Sequence, residues 1–116
     1  MDHADFGLAS ENQAADYLVQ THGWRVLARR VRFREGEIDL IMETDERRLV
    51  FVEVKARKSF TFGAAVESVT PEKVRRIRRA IGKWRSQSGD FREGELLLVT
   101  MEWHGGKLTV EEVGME

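Results

Sequence analysis

The sequence predicts an α/β fold: one domain with a mixed β-sheet flanked by helices, its elements in the order α-βββ-α-ββ. Three observations lead there. Two stretches carry a single apolar stripe at helical spacing, and five short apolar runs are separated by turn-forming residues. One of those runs, Leu49-Val50-Phe51-Val52, is apolar on both faces and therefore needs cover on both sides.

Taken in order, Leu8, Ala15, Leu18 and Val19 recur at helical spacing before Gly23, which gives an amphipathic helix from Leu8 to His22. Trp24 to Phe33 alternates Trp, Val and Leu with arginine loosely, in the manner of an edge strand. Ile38 to Met42 and Leu49 to Lys55 follow, joined by a tight turn across Glu43-Thr44-Asp45-Glu46-Arg47-Arg48, so three strands form a meander. Arg57 to Val69, with Phe60, Phe62 and Gly63, has no clear period and reads as a loop. Thr70-Pro71-Glu72-Lys73 starts a second helix, with Thr70 as cap and Pro71 at the first helical position. Val74, Ile77, Ile81 and Trp84 form its stripe, and it ends near Ser88-Gly89. Leu96 to Met101 and Lys107 to Val113 are the last strands, joined through His104-Gly105-Gly106.

With 116 residues the chain is long enough for one core that buries roughly 60–70% of the unfolded surface without staples. The absence of cysteine excludes a disulfide framework, a thiolate metal site and a cysteine nucleophile. Met1-Asp2-His3-Ala4-Asp5 lacks the basic start and apolar run of a signal peptide, and no segment approaches the length of a membrane span. A cytoplasmic location with no membrane partner is the expectation. A net charge of -1 argues against indiscriminate nucleic-acid binding, but 34% charged residues leaves room for local segregation of sign.

The chemistry concentrates in Gly36-Glu37-Ile38-Asp39-Leu40 and Phe51-Val52-Glu53-Val54-Lys55. Side chains along a strand alternate faces, so Glu37 shares a face with Asp39, and Glu53 with Lys55. A hairpin register that sets Asp39 opposite Glu53 also sets Glu37 opposite Lys55. Opposed residues have Cβ atoms roughly 4.5–5.5 Å apart, and two carboxylates at that spacing repel unless a cation lies between them. The pattern suits a metal site with a lysine beside it to bind phosphate or activate water. A hairpin whose charges merely face water is the commoner source of such alternation. It fits poorly here because both strands are apolar on either side of the charges.

Glu11 falls on the apolar side of the first helix, so it either reaches a cation or basic residue or snorkels out at the helix end. Along the second helix Lys73, Arg75, Arg76, Arg78, Arg79, Lys83 and Arg85 crowd a narrow apolar stripe with hardly an acid among them. Further arginines at Arg29, Arg30, Arg32 and Arg34, and the pair Arg57-Lys58, favour a phosphate-binding surface over a solvated face. Glu93, Glu95, Glu102, Glu111 and Glu112 balance the total, which suggests a bipolar molecule. His3, His22 and His104 lack metal-ligand spacing. Trp24, Trp84 and Trp103 each fall in an apolar pattern and read as core. There is no Gly-x-Gly-x-x-Gly, P-loop or nucleophile elbow.

Together, Glu11, Gly36-Glu37-Ile38-Asp39-Leu40-Ile41, Phe51-Val52-Glu53-Val54-Lys55-Ala56-Arg57 and Gly63 leading to Lys73 resemble the YraN-like bacterial proteins of uncharacterised protein family 0102, from about Gly7 to about Trp84. That family looks like a branch of the PD-(D/E)xK nuclease superfamily, near the Holliday-junction resolvases. The resemblance implies a restriction-endonuclease-like core and metal-dependent phosphodiester cleavage. Asp39 matches the superfamily aspartate, Glu53 and Lys55 the E-x-K pair, and Glu11 the helix-one glutamate. Two departures stand out: Arg30 is where the family commonly has asparagine, and Leu96 to Val99 replaces an Arg-Phe-Asp stretch.

The function expected from this resemblance is hydrolysis of phosphodiester bonds with Mg²⁺ or Mn²⁺, structure-selective on DNA. Asp39 and Glu53, with Glu11 through water, would hold the metal, and Lys55 would orient the water or neutralise the phosphate. Arg30, Arg32, Arg57, Lys73, Arg76, Arg79 and Lys83 would position the backbone. A homodimer is the arrangement that would cut two strands. The alternatives are a non-catalytic nucleic-acid-binding module on the same fold and a protein-interaction domain with a bipolar surface.

Overall fold

The computed structural model describes residues 3–57 and 69–115. Among them, α1 (His3–His22) is followed by β1 (Arg25–Phe33), β2 (Gly36–Glu43), β3 (Leu49–Arg57), α2 (Pro71–Ser88), β4 (Gly94–His104) and β5 (Lys107–Met115), which is the expected order. Helix α1 starts five residues earlier than its apolar stripe suggested, and β4 and β5 run beyond their apolar centres, because ladder pairing continues after the hydrophobic pattern stops. The loop expected between Arg57 and Val69, with Lys58, Phe60, Phe62 and Gly63, lies outside the described residues apart from its two ends.

The strands form one sheet in the order β1-β2-β3-β4-β5, antiparallel throughout except for the parallel pair β3–β4. A parallel pair requires a crossover, and α2 lies in that connection. Its start follows the local code: Thr70 Oγ1 accepts from the Lys73 N–H at 3.2 Å, and Gly89 closes the helix at φ 72°. Gly105 and Gly106, at φ 56° and 81°, form the two-residue turn between β4 and β5.

Strand β3 is central, and Leu49, Val50, Phe51 and Val52 are all withdrawn from water. Each contributes about 1.5–3 kcal/mol relative to exposure, which favours the one position with cover on both faces. On one side Val50, Val52 and Val54 pack with Leu40, Met42 and the α1 residues Ala14, Ala15 and Leu18. On the other, Leu49 and Phe51 pack with Ile38, Ile41 and the α2 residues Ile77 and Ala80. Trp84 meets Phe51 edge-on at 5.7 Å, and Trp24 packs at the edge of the α1-side core, so both act as packing residues. Helix α2 seats on the start of β2 at Gly36, where a Cβ would stand 2.6 Å from the Arg76 carbonyl oxygen. Only glycine permits that approach.

Register decides what faces the β2–β3 end. Leu40 pairs with Val52, Ile41 with Phe51, Met42 with Val50 and Glu43 with Leu49. One more rung would oppose Asp39 and Glu53, but the ladder stops there and Asp39 Oδ2 accepts from the Val54 N–H at 2.7 Å. The expected pairing of Glu37 with Lys55 does not form. Past Leu40, β2 continues only its ladder with β1, where Glu37 pairs with Arg32 and their side chains form an ion pair at 3.3 Å. Strict alternation also slips here: Ile38 and Ile41, three apart, both join the α2-side core, while Leu40 joins the other. On β1, Arg30 lies between the pairs Arg29–Leu40 and Val31–Ile38, and takes φ 50°.

Candidate functional site

Where β2 and β3 part, a cleft of about 1160 Å³ opens between the start of α1, the β1–β2 turn and the first turns of α2. Asp39, Glu53, Lys55 and Glu11 all line it, joined by Lys73, Arg76 and Arg79 from α2. Seven of the residues expected in the site are therefore brought together from four elements.

Glu53 is buried at 7% exposure, with Asp39 half-buried beside it. Burial, then the charge of Asp39, raises the Glu53 carboxyl to about 7, against the opposing pull of Lys73 and Lys55. Burial also raises Asp39, although the Val54 N–H and a hydrogen bond with Glu53 work against it. Two carboxyls in hydrogen-bond contact must share a proton or a cation between them. Lys55, half-buried, has its proton affinity lowered by desolvation and then by contact with Lys73, while the two acids oppose the shift. Among the described residues no three histidine, cysteine, aspartate or glutamate side chains stand together as a complete ligand set. The acids form a pair, with Glu11 behind it.

Of the two outcomes open to Glu11 on the apolar side of α1, the structure shows the first, a carboxyl turned inward to a basic residue, Arg30. The Glu11 Oε1 is buried, 3.3 Å from Arg30 Nε but without hydrogen-bond geometry, and has no hydrogen-bond donor among the described residues. Burial, then the Asp39 charge, raises its carboxyl, and Arg30 partly offsets this. A buried acid elsewhere gives the contrast. Glu43, at the opposite end of β2, also has an Oε1 without a hydrogen bond among the described residues, but it is paired with both Arg25 and Arg92, and Arg92 donates to its other oxygen, the mark of a structural ion network.

The basic residues divide. Lys73 Nζ lies 3.6 Å from Glu53 Oε1, facing the acids as well as the cleft. Arg76 and Arg79 are exposed along the cleft wall. Arg30 is turned to Glu11 and Arg32 to Glu37. Arg57 and Lys83 are exposed but outside the cleft lining. Helix α2 is not without acid–base pairs, as its composition had suggested: Glu72 meets Arg75 at 2.8 Å and Arg76 at 3.9 Å. His22 stacks on Trp24 at 4.2 Å and lies 2.8 Å from Glu112, tying the end of α1 to β5 away from the cleft.

The sequence model of uncharacterised protein family UPF0102 matches residues 10–101, which include Glu11, Asp39, Glu53, Lys55, Lys73, Arg76 and Arg79. The chain belongs to uncharacterised protein family UPF0102. A UPF0102 protein of Mycolicibacterium vanbaalenii is 50% identical over 84 residues, covering 72% of this chain and 68% of that protein. One from Symbiobacterium thermophilum is 46% identical over 83 residues, 72% of this chain and 69% of its own. One from Bifidobacterium longum subsp. infantis is 42% identical over 79 residues, 68% of this chain and 63% of its own. The matched segments thus span about two-thirds of each relative.

Within this UPF0102 chain, two contributions were not legible in the motifs. Gly36 opens the motif of β2, yet its part is to admit α2 and so to set Lys73 beside Glu53 and Arg76 on the cleft wall. Arg30 holds a left-handed backbone, which asparagine tolerates better than any residue with a long side chain. That accounts physically for the asparagine expected at this position from the resemblance. No helix among the described residues is long and apolar enough to cross a membrane.

Proposed function

We propose that this chain is a metal-dependent nuclease that hydrolyses phosphodiester bonds, structure-selectively on DNA. Its core would be the restriction-endonuclease-like one of the PD-(D/E)xK superfamily, near the Holliday-junction resolvases. The observation that carries the reading is the parted end of β2 and β3, where the buried carboxyl of Glu53 meets the half-buried one of Asp39, with a lysine two residues along the strand from Glu53.

The donors suit Mg²⁺ or Mn²⁺. Asp39, Glu53 and the Oε1 of Glu11, which has no hydrogen-bond donor among the described residues, are all hard oxygens, and such ions bind through one or two carboxylates and keep water in the remaining positions. When bound, the ion supplies an activated water near neutral pH and stabilises charge on the phosphate. The chain's own groups do the rest. Asp39 is oriented by the Val54 N–H, which fixes the acid relative to the strand that carries Glu53. Lys55, held at the cleft by β3, orients a water or neutralises the phosphate as charge develops on it. Arg76 and Arg79 hold the backbone by charge, which carries no base information and favours recognition of shape.

A non-catalytic nucleic-acid-binding module is the second reading. It draws on one observation, that Lys55 and Lys73 balance the two acids without an ion. Single-turnover assays on branched, nicked, duplex and single-stranded substrates with Mg²⁺ or Mn²⁺ separate the two. The nuclease cuts at least one of them, Asp39→Asn loses metal and cutting together, and Lys55→Ala keeps metal and substrate affinity but loses the chemical step. A wild-type chain that cuts nothing, or a Lys55→Ala variant that cuts normally, refutes the catalytic assignment.

A further inference from the structure

Two ammonium groups stand at the acid pair, one carried by β3 and one by α2, in contact with each other. Lys55 is rooted in the central strand β3, half-buried, where the surrounding ladder limits its movement. Lys73 arises from the first turn of α2, with 34% of its side chain exposed. At 3.6 Å from Glu53 Oε1 it is held by charge and not by a fixed hydrogen bond. Its neighbour Glu72 is engaged with Arg75 and Arg76, so among the described residues Glu53 is the carboxylate that holds Lys73 inward. With both acids ionised, Asp39 and Glu53 offset Lys55 and Lys73, so a divalent ion added to the four leaves an excess of positive charge among partly desolvated groups, which Glu11 in the same cleft offsets only in part. One ammonium must then withdraw. Lys73 has the flexible four-carbon stem, the solvent access and an open route along the cleft toward Arg76 and Arg79.

We propose that Lys73 is a displaceable counter-ion, which occupies the Glu53 carboxylate until a divalent cation arrives, competes with it, and is released into the cleft to meet substrate phosphate. The inference rests on the metal-dependent reading given above. It makes Lys73 a positioning residue that couples two events. A phosphate that draws Lys73 away frees a metal ligand, and by linkage the bound ion raises affinity for phosphate by the same factor.

The test is titration of the full chain with Mn²⁺ at low salt without nucleic acid, followed by the electron paramagnetic resonance signal of the free ion. Wild type is compared with Lys73→Met, Lys73→Gln, Lys73→Arg and Asp39→Asn, with thermal melts confirming that each is folded. Removing the competing ammonium should tighten Mn²⁺ binding about five- to tenfold in both the Met and the Gln variant, while Lys73→Arg stays within about twofold of wild type. Binding by Met and Gln variants that equals or falls below wild type, with Asp39→Asn losing the ion, overturns the counter-ion and leaves the nuclease reading in place. No Mn²⁺ binding by any chain, or unchanged binding in Asp39→Asn, overturns both.

Discussion

Replacing Glu53 by glutamine reads the electrostatics of the site through stability alone. In the folded chain burial and the charge of Asp39 raise the Glu53 carboxyl from its ordinary 4.5 to about 7. Between those two values the folded chain holds a proton that the unfolded chain has lost. Stability is therefore highest below the unfolded value, falls as pH rises through about 7, and stays low above it. At about 1.4 kcal/mol for each tenfold change in proton affinity, the loss approaches about 3 kcal/mol, an upper figure because the acid pair titrates jointly. Glutamine fills the same space with nothing to ionise. Glu53→Gln should match wild type within about 1 kcal/mol at pH 5 and exceed it by about 2–3 kcal/mol at pH 8. Urea unfolding at both pH values measures this, provided the denaturant slopes agree. At pH 8, Mn²⁺ should restore wild type and leave the variant unmoved, because the ion neutralises the carboxylate that glutamine lacks. Parallel pH dependence in the two chains would refute the account of a strained acid pair.

Gly36→Ala should destabilise the fold by about 1–3 kcal/mol, because its Cβ would meet a backbone carbonyl that cannot turn aside; a melting temperature equal to wild type would mean that α2 is not seated there. Arg76→Ala and Arg79→Ala should each reduce the slope of log DNA affinity against log salt by about 0.7–0.9, with Lys83→Ala changing it less because Lys83 is outside the cleft. Equal losses from all three would make α2 a general basic surface.

Much of the architecture was legible because it is written locally. The Thr70-Pro71 start and the Gly105-Gly106 turn act through contacts a few residues apart, and the unbroken apolar run of β3 shows in its own composition that both faces need cover, so the element order follows from them. The same holds for the candidate residues, since an acid or lysine interrupting a buried strand is visible in the pattern alone. Their meeting was decided at longer range. The β2–β3 ladder could have run on through Asp39, and nothing in the alternation of residues 36–55 says that it ends at Leu40 and Val52. Glu37 shares the pattern of Asp39, yet the tertiary structure gives it to Arg32 on β1. Glu11 could have met solvent or a partner, and the approach of α1 to β1 set it beside Arg30. The place of Lys73 depends on α2 closing against Gly36, a contact between residues forty apart in the chain. Periodicity fixes which way a side chain points within its own element; where strands part and where a helix comes to rest is set by the packing of the whole core, which no local pattern contains.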